Sequence, residues 1–318
     1  VNAAVLHALG KPPRFEQFPA AVPAEGEVVV KVCAAALKPV DKQIAAGTHY
    51  ASFRELPAVC GLDGVGYLDD GNRVFFAGPR RPYGAMAERT VVRRAQCFAV
   101  PEGMSDDIAA ALPNPGVSAW LTLKERANLT PGETVLILGA TGVTGKLAVQ
   151  IAKILGAGRV IAAGRNEKAL NSLLEIGADA TIQLDKSGEE LTKAFARAAG
   201  DKGFQVVIDY LWGSPTEALL SALTRHEFAA IGSETRLVQV GESAGAAISL
   251  PAGVLRSSPL TIMGTAGMPA PEILMGALQQ VLAYGASGKL RIDAERVPLA
   301  DIESAWQREG RSRLVVIP

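Results

Sequence analysis

The sequence predicts an α/β chain, with a doubly wound parallel sheet in its middle and an irregular β-rich domain assembled from both ends. Three observations carry this. From residue 117 to about 266, short apolar runs alternate with amphipathic helical stretches, the pattern of a parallel sheet with helices on its faces. Residues 1–114 break instead into short strand-like runs split by Gly and Pro, the style of a shell that builds a cleft. Beyond 266 the alternation stops, and the chain closes on one more apolar run, Arg313–Ile317. The tail is therefore assigned to the first domain. This gives a discontinuous domain of residues 1–114 and 267–318 around a central domain of residues 115–266.

Composition bounds the class. A length of 318 residues suffices for two domains, and 48% hydrophobic with 20% charged residues is ordinary for a soluble globular protein. Lys+Arg and Asp+Glu both number 32, so nothing favours nucleic acid or an anionic membrane as partner. The first residues lack the basic and long apolar regions of a signal peptide, and no apolar segment approaches membrane-spanning length. Cys33, Cys60 and Cys97 are far apart and odd in number, which points to reduced thiols. A cytoplasmic chain is expected.

In chain order, strands are expected at 28–33, 64–67, 73–76 and 88–92. Ser105 before Asp106 and Asp107 reads as an N-cap with acids in the first helical turn. Pro113-Asn114-Pro115-Gly116 reads as the crossing point between domains. A strand at 134–139, a glycine turn, an amphipathic helix ended by Gly156 and Gly158, and a strand at 160–163 form a βαβ unit of roughly thirty residues. Helices at 170–176 and 191–198 then alternate with strands at 181–184 and 204–209. Ser214-Pro215-Thr216-Glu217 reads as a capping box with proline at N1, and further strands follow at 237–240 and Leu260–Gly264. Helices near 272–284 and 299–307 precede the closing strand. The ligand of such a sheet belongs at the carboxyl ends of its strands.

The turn of the βαβ unit, Ala140, Thr141, Gly142, Val143 and Thr144, is the candidate phosphate cradle. The first N–H groups of a helix are unpaired at the positive end of its dipole, and a glycine turn lets a pyrophosphate approach them. A flanking strand and helix are what this fingerprint requires, and both are present, so the central domain reads as Rossmann-type. The end of the second strand selects the dinucleotide. An unphosphorylated cofactor usually meets Asp or Glu roughly twenty residues on. This chain has Gly164, then Arg165, Asn166 and Lys168, and a guanidinium suits a 2′-phosphate. NADPH is expected rather than NADH; the alternative keeps Arg165 as a solvated cation and gives the ribose to Glu167.

The stretches AAALKPVD (34–41), GLDGVG (61–66), YGAMAERTVV (83–92), the segment 100–120, FQVVIDYLWG (204–213), RLVQVG (236–241) and VPLADIESAW (297–306) occur in an order that resembles the zinc-independent medium-chain dehydrogenase/reductase superfamily, quinone oxidoreductase and enone reductase branch. The resemblance implies a GroES-like catalytic domain from both chain ends, NADPH in the cleft beside it, and a homodimer paired through the outer strand Leu260–Gly264. The places where zinc-dependent relatives carry ligands read Lys38, Leu62 and roughly Asn114, none a thiolate or imidazole, so no metal is expected. Hydride transfer from a nicotinamide to a quinone or α,β-unsaturated carbonyl needs only an oriented cofactor and a donor for the developing oxyanion. Lys38 stands where enone-reducing relatives often have asparagine. It donates to the carbonyl, held by Asp41, or points into solvent, or pairs structurally with Asp41. His49 and Tyr50 fall where the family lines its pocket with an aromatic, or on a surface loop; Tyr210 and Trp212 border the nicotinamide side or are core or rim aromatics. Gly241 offers backbone contact to the nicotinamide or its ribose, and Arg308 is a weaker second candidate for the 2′-phosphate, with a solvated helix-end arginine as the simpler reading.

Three rival readings remain. Gly241-Glu242-Ser243-Ala244-Gly245 matches a hydrolase nucleophile elbow, but a proline follows where a helix is needed, and His7, His49 and His226 all precede the serine. A non-catalytic NADPH-binding or RNA-associating role is the second. A reductase of another activated double bond, such as an acyl thioester, is the third; fold resemblance sets the class and not the substrate.

Overall fold

The computed structural model describes residues 1–224, 234–265, 267, 269–308, 310 and 312–318. His226, and Ala266 at the end of the expected central domain, lie outside the described residues. The chain divides into two compact units, Val1–Asn114 with Gln280–Pro318, and Pro115–Gln279. Both junctions fall inside helices, Pro113–Leu121 and Pro271–Ala286. The first of these covers the prolines of residues 113–116, the segment read from sequence as the crossing point between domains. They occupy the first helical turn, where a missing N–H leaves no bond unmade. The second places the junction later than the sequence reading did.

In the unit Pro115–Gln279 the expected doubly wound sheet is present. Six parallel strands run in the order Ala180–Gln183, Arg159–Gly164, Thr134–Leu138, Val206–Asp209, Thr235–Gln239, Leu260–Gly264. Helices cover both faces, so Thr134–Leu138 is buried at every position and reads as an unbroken apolar run. One face packs Leu136, Leu138, Ile161, Val207 and Leu237 against Phe195 and Leu219. The register sets Leu138 opposite both Ala163 and Asp209, and Asp209 opposite Gln239. Four strands thus end at one level, and the turns that follow them share one edge. Leu260–Gly264 is the outer strand, paired on one side only. The helix expected after Ser214 exists as Ser214–Leu223, but Gly213 is its N-cap and no side chain caps it. Glu217, read as the capping-box acid, instead accepts the Ser249 N–H at 2.6 Å.

The other unit is β-rich, as expected. The eleven-residue strand Glu27–Leu37 pairs with Asp63–Leu68, Arg89–Arg93 and Arg313–Ile317, so the chain's last strand closes a sheet begun near its start. Its core joins Val30, Val32, Phe76 and Met86 to Ile302, Trp306 and Val316. A separate three-stranded sheet is built from Arg14–Gln17, Asn2–Leu6 and Ala58–Val59.

Candidate functional site

The fingerprint turn is organised by bare backbone. Gly139 lies at φ +82°, a conformation that favours glycine, and its N–H and that of Ala140 both donate to Ala163 O at 3.0 Å. Gly142 is the N-cap of the helix Val143–Ile154, and no side chain caps that end. The first bond back to it is from Lys146 N–H to Gly142 O at 2.9 Å, so the N–H groups of Val143, Thr144 and Gly145 precede the ladder. Gly142 is exposed, and a Cβ there would meet nothing nearer than Gly139 O at 3.4 Å. Gly145 is the opposite case: a Cβ would sit 2.3 Å from Gly139 O, so this glycine lets the helix close on the turn. Open donors over an approachable backbone fit a pyrophosphate.

Gly164 ends the neighbouring strand, and a Cβ there would lie 2.7 Å from Thr141 Cγ2. The side chain of Thr141 therefore occupies the space an acidic residue at 164 would need. Arg165 and Lys168, both exposed, form no ion pair among the described residues. Asn166 caps the helix Glu167–Leu174, its Oδ1 accepting the Ala169 N–H at 2.8 Å. Among the described residues, a cation free of carboxylates stands where the strand ends.

Two further turns share this edge. After Val206–Asp209, the fully buried Asp209 carboxylate accepts from Leu211 N–H at 2.8 Å, Trp212 N–H at 2.9 Å and Thr216 Oγ1 at 2.6 Å. Burial raises its pKa, against the bonds from Thr216, Trp212 and Leu211. The Tyr210 hydroxyl is buried and has no hydrogen-bond partner among the described residues. After Thr235–Gln239, Gly241 donates to Asp209 O at 3.1 Å, and a Cβ on it would lie 2.7 Å from Tyr210 O. Ser243, the elbow serine, donates to Tyr210 O at 3.1 Å, and the next helix, Ala252–Ser257, begins only after Pro251.

The residues expected to be catalytic lie in the β-rich unit. Lys38 precedes the helix Pro39–Ala46 and is 1% exposed. Its Nζ donates to Asp63 Oδ1 at 2.8 Å and Ala36 O at 3.0 Å, and lies 3.2 Å from Asp41 Oδ2. The ammonium is hydrogen-bonded to Asp63 and Ala36, ion-paired with Asp41 and closed off from solvent, an arrangement that suits a structural pin better than a donor to a substrate carbonyl. Of the three sequence readings, the ion pair with Asp41 is present, the solvent-facing side chain is not, and Asp63 is a partner that none of them included. Burial would lower the Lys38 pKa, but Asp41 and Asp63 raise it above the usual lysine value. Asp63 is raised by burial, with Lys38 opposing. Asp41 also accepts the N–H groups of Lys38 at 2.9 Å and Leu62 at 3.2 Å. Arg313, buried nearby, donates to Leu37 O at 3.0 Å, and burial lowers its pKa against the pull of Asp41 and Asp63. A small cleft lined by Asp41, Phe53, Cys60, Leu62 and Arg81 lies beside this cluster. Tyr50 is 98% exposed on a turn, its ring 4.0 Å from that of His49. Arg308 pairs with Glu295 at 2.5 Å in the same unit. No group of three or more His, Cys, Asp or Glu is placed to hold a metal among the described residues.

A parallel sheet whose carboxyl edge carries an uncapped helix, a glycine turn and a free cation defines a dinucleotide-binding protein. Residues 143–281 match the family model described as zinc-binding dehydrogenase. That stretch contains no cysteine and a single histidine, His226, so the description brings no ligand set to this chain. The chain is 30% identical over 254 residues to an Emericella nidulans protein named "Probable NADPH-dependent quinone reductase tdiC", covering 76% of this chain and 68% of that one. It is 33% identical to the 2-methylene-furan-3-one reductase of Solanum lycopersicum, covering 63% of this chain and 56% of the tomato protein. Among solved structures, the quinone oxidoreductase of Thermus thermophilus, determined alone and with NADPH, superposes with a TM-score of 0.81 at 29% identity, covering 100% of both chains. The chain belongs to the medium-chain dehydrogenase/reductase superfamily, in its zinc-independent quinone oxidoreductase branch.

Proposed function

We propose that this chain is an NADPH-dependent oxidoreductase that reduces a quinone or an α,β-unsaturated carbonyl without a metal. The observation that carries the reading is the carboxyl edge of the parallel sheet: open N–H groups at 143–145, with Arg165, unpaired among the described residues, at the next strand end and no room for an acid at 164. NADPH, when bound, supplies the hydride. The backbone of residues 140–144 would hold its pyrophosphate, Arg165 and Lys168 would meet its 2′-phosphate, and the turn at Gly241 would border the nicotinamide half. The chain's own part is binding, orientation and a dry, fixed site. We assign Pro115–Gln279 to the cofactor and the β-rich unit to the substrate. Within the latter, Lys38 and Asp41 act by holding the segments around 36–41 and 62–63 in place, and exposed Tyr50 is the aromatic a substrate can reach.

The reading extends to assembly and compartment. Leu260–Gly264 offers an unpaired edge for antiparallel pairing with a second copy, which a charged substitution at Ile262 would break in sedimentation experiments. A dimer unaffected by that change would place the contact elsewhere. Three free thiols suit a reducing cytoplasm, which fractionation of cells checks. No helix of the described residues is long and apolar enough to cross a membrane.

The deciding experiment is NADPH oxidation across quinones, enones and acyl thioesters, beside an NADH control. Turnover with quinones or enones, and preference for NADPH, is expected. Binding of NADPH without turnover of any acceptor would make the chain a binder rather than an enzyme, and turnover of thioesters alone would move the substrate class.

A further inference from the structure

The turn at residues 210–213 is more tightly determined than a connection needs to be. Trp212 sits at φ +56°, left-handed backbone that a bulky side chain adopts only under constraint, and Gly213 follows at φ +67°. Two of the three bonds to the Asp209 carboxylate come from the N–H groups of this turn, at Leu211 and Trp212. Glycines clear the space around it: a Cβ at Gly139 would lie 3.2 Å from Tyr210 Cβ, and one at Gly213 would lie 2.7 Å from Ala244 O. The turn also carries the buried Tyr210 hydroxyl, which has no hydrogen-bond partner among the described residues.

Strand order says which half of the cofactor this turn meets. The pyrophosphate site follows Thr134–Leu138, and the 2′-phosphate cation follows Arg159–Gly164 on one side of it. A dinucleotide laid across the edge must extend the other way, over Val206–Asp209 and Thr235–Gln239. Resting on the cofactor reading above, we infer that Asp209 is a positioning residue for the nicotinamide half of NADPH: its carboxylate locks the 210–213 turn into the left-handed form that the nicotinamide nucleoside packs against. It acts through the turn and touches no reacting atom.

The test compares two ligands. NADPH reads both halves of the site, whereas adenosine 2′,5′-bisphosphate reads the adenosine half alone. Asp209→Ala should weaken NADPH binding about tenfold or more, as expected for loss of an ordering contact, and leave the bisphosphate within about twofold. Asp209→Asn should restore most of the loss, because its amide oxygen still accepts from Leu211 and Trp212. Equal losses for both ligands, an unchanged NADPH affinity, or an Asn variant no better than Ala would each overturn the inference. Should the Ala variant fail to fold, Thr216→Val removes one carboxylate donor and must show the same inequality, about threefold against none; equal effects again overturn it. A wild-type chain that ignores the bisphosphate removes the cofactor reading itself, a result separable from failure of the Asp209 assignment.

Discussion

Lys38 is the place where stability and catalysis predict opposite experiments. The buried cluster holds two cations, Lys38 and Arg313, and two carboxylates, Asp41 and Asp63. Lys38→Met removes one cation and leaves a net charge of −1 sealed among these four, with Ala36 O and Asp63 Oδ1 losing their shared donor. Breaking a buried pair from one side costs about 3–5 kcal/mol, a fall in Tm of roughly 6–20 °C for a unit of this size. The double variant Lys38→Met with Asp63→Leu restores neutrality, leaving Asp41 opposite Arg313. Replacing both members of a buried pair by apolar groups is often near neutral, so the double variant should recover most of the loss. Thermal unfolding with parallel kcat measurements on an enone decides. If Lys38 is a buried pin, the single variant melts early and the double regains both stability and turnover. A carbonyl donor behaves otherwise: kcat falls about 10²–10³-fold in single and double alike while Tm barely moves. That second pattern would refute the reasoning.

Three further outcomes follow from the sheet edge. Arg165→Ala should raise KM for NADPH at least about tenfold and leave KM for NADH nearly unchanged; equal effects would remove the 2′-phosphate assignment. Gly145→Ala brings a Cβ within 2.3 Å of Gly139 O and 2.6 Å of Ala140 Cα, backbone that has little freedom to yield. A loss of about 1–3 kcal/mol in chemical denaturation and weaker NADPH binding are expected, and an unchanged melting curve would refute the packing. Asp179 accepts from Lys153 Nζ and Val160 N–H, both at 2.6 Å. Burial would raise its pKa, but these bonds hold it below the usual carboxylate value. The folded pKa lies below the unfolded one, so its contribution is present above about pH 4 and fades as pH falls further through the folded value. With side chains 31% and 41% exposed, the stability gap between wild type and Asp179→Asn should stay within about 1 kcal/mol, level from pH 7 to 5 and closing below about pH 4. A gap that widens in acid would contradict the sign.

What could be read from the sequence, and what could not, divides by distance along the chain. The cradle was legible because strand, glycine turn and helix are consecutive, and because a strand covered on both faces shows as a solid apolar run, as in Thr134–Leu138. Arg14–Gln17 was missed because it is an edge strand, mostly exposed and without alternation, and Pro39–Ala46 because its proline was read as loop punctuation when it stands in a helical first turn. Lys38 and Asp41 are neighbours, so their pairing was foreseeable. Asp63 and Arg313 join them across 25 residues and nearly the whole chain, and nothing local announces either. The Asp209 turn is harder still, since no propensity favours tryptophan in left-handed backbone; it takes the strand register, three acceptor bonds and the bare glycines beside it to show why Trp212 stays there. The chemistry of this fold depends on both kinds of information. A local motif brings the cofactor to the sheet edge, and long-range contacts, which a linear reading does not see, decide how rigidly each half of it is held.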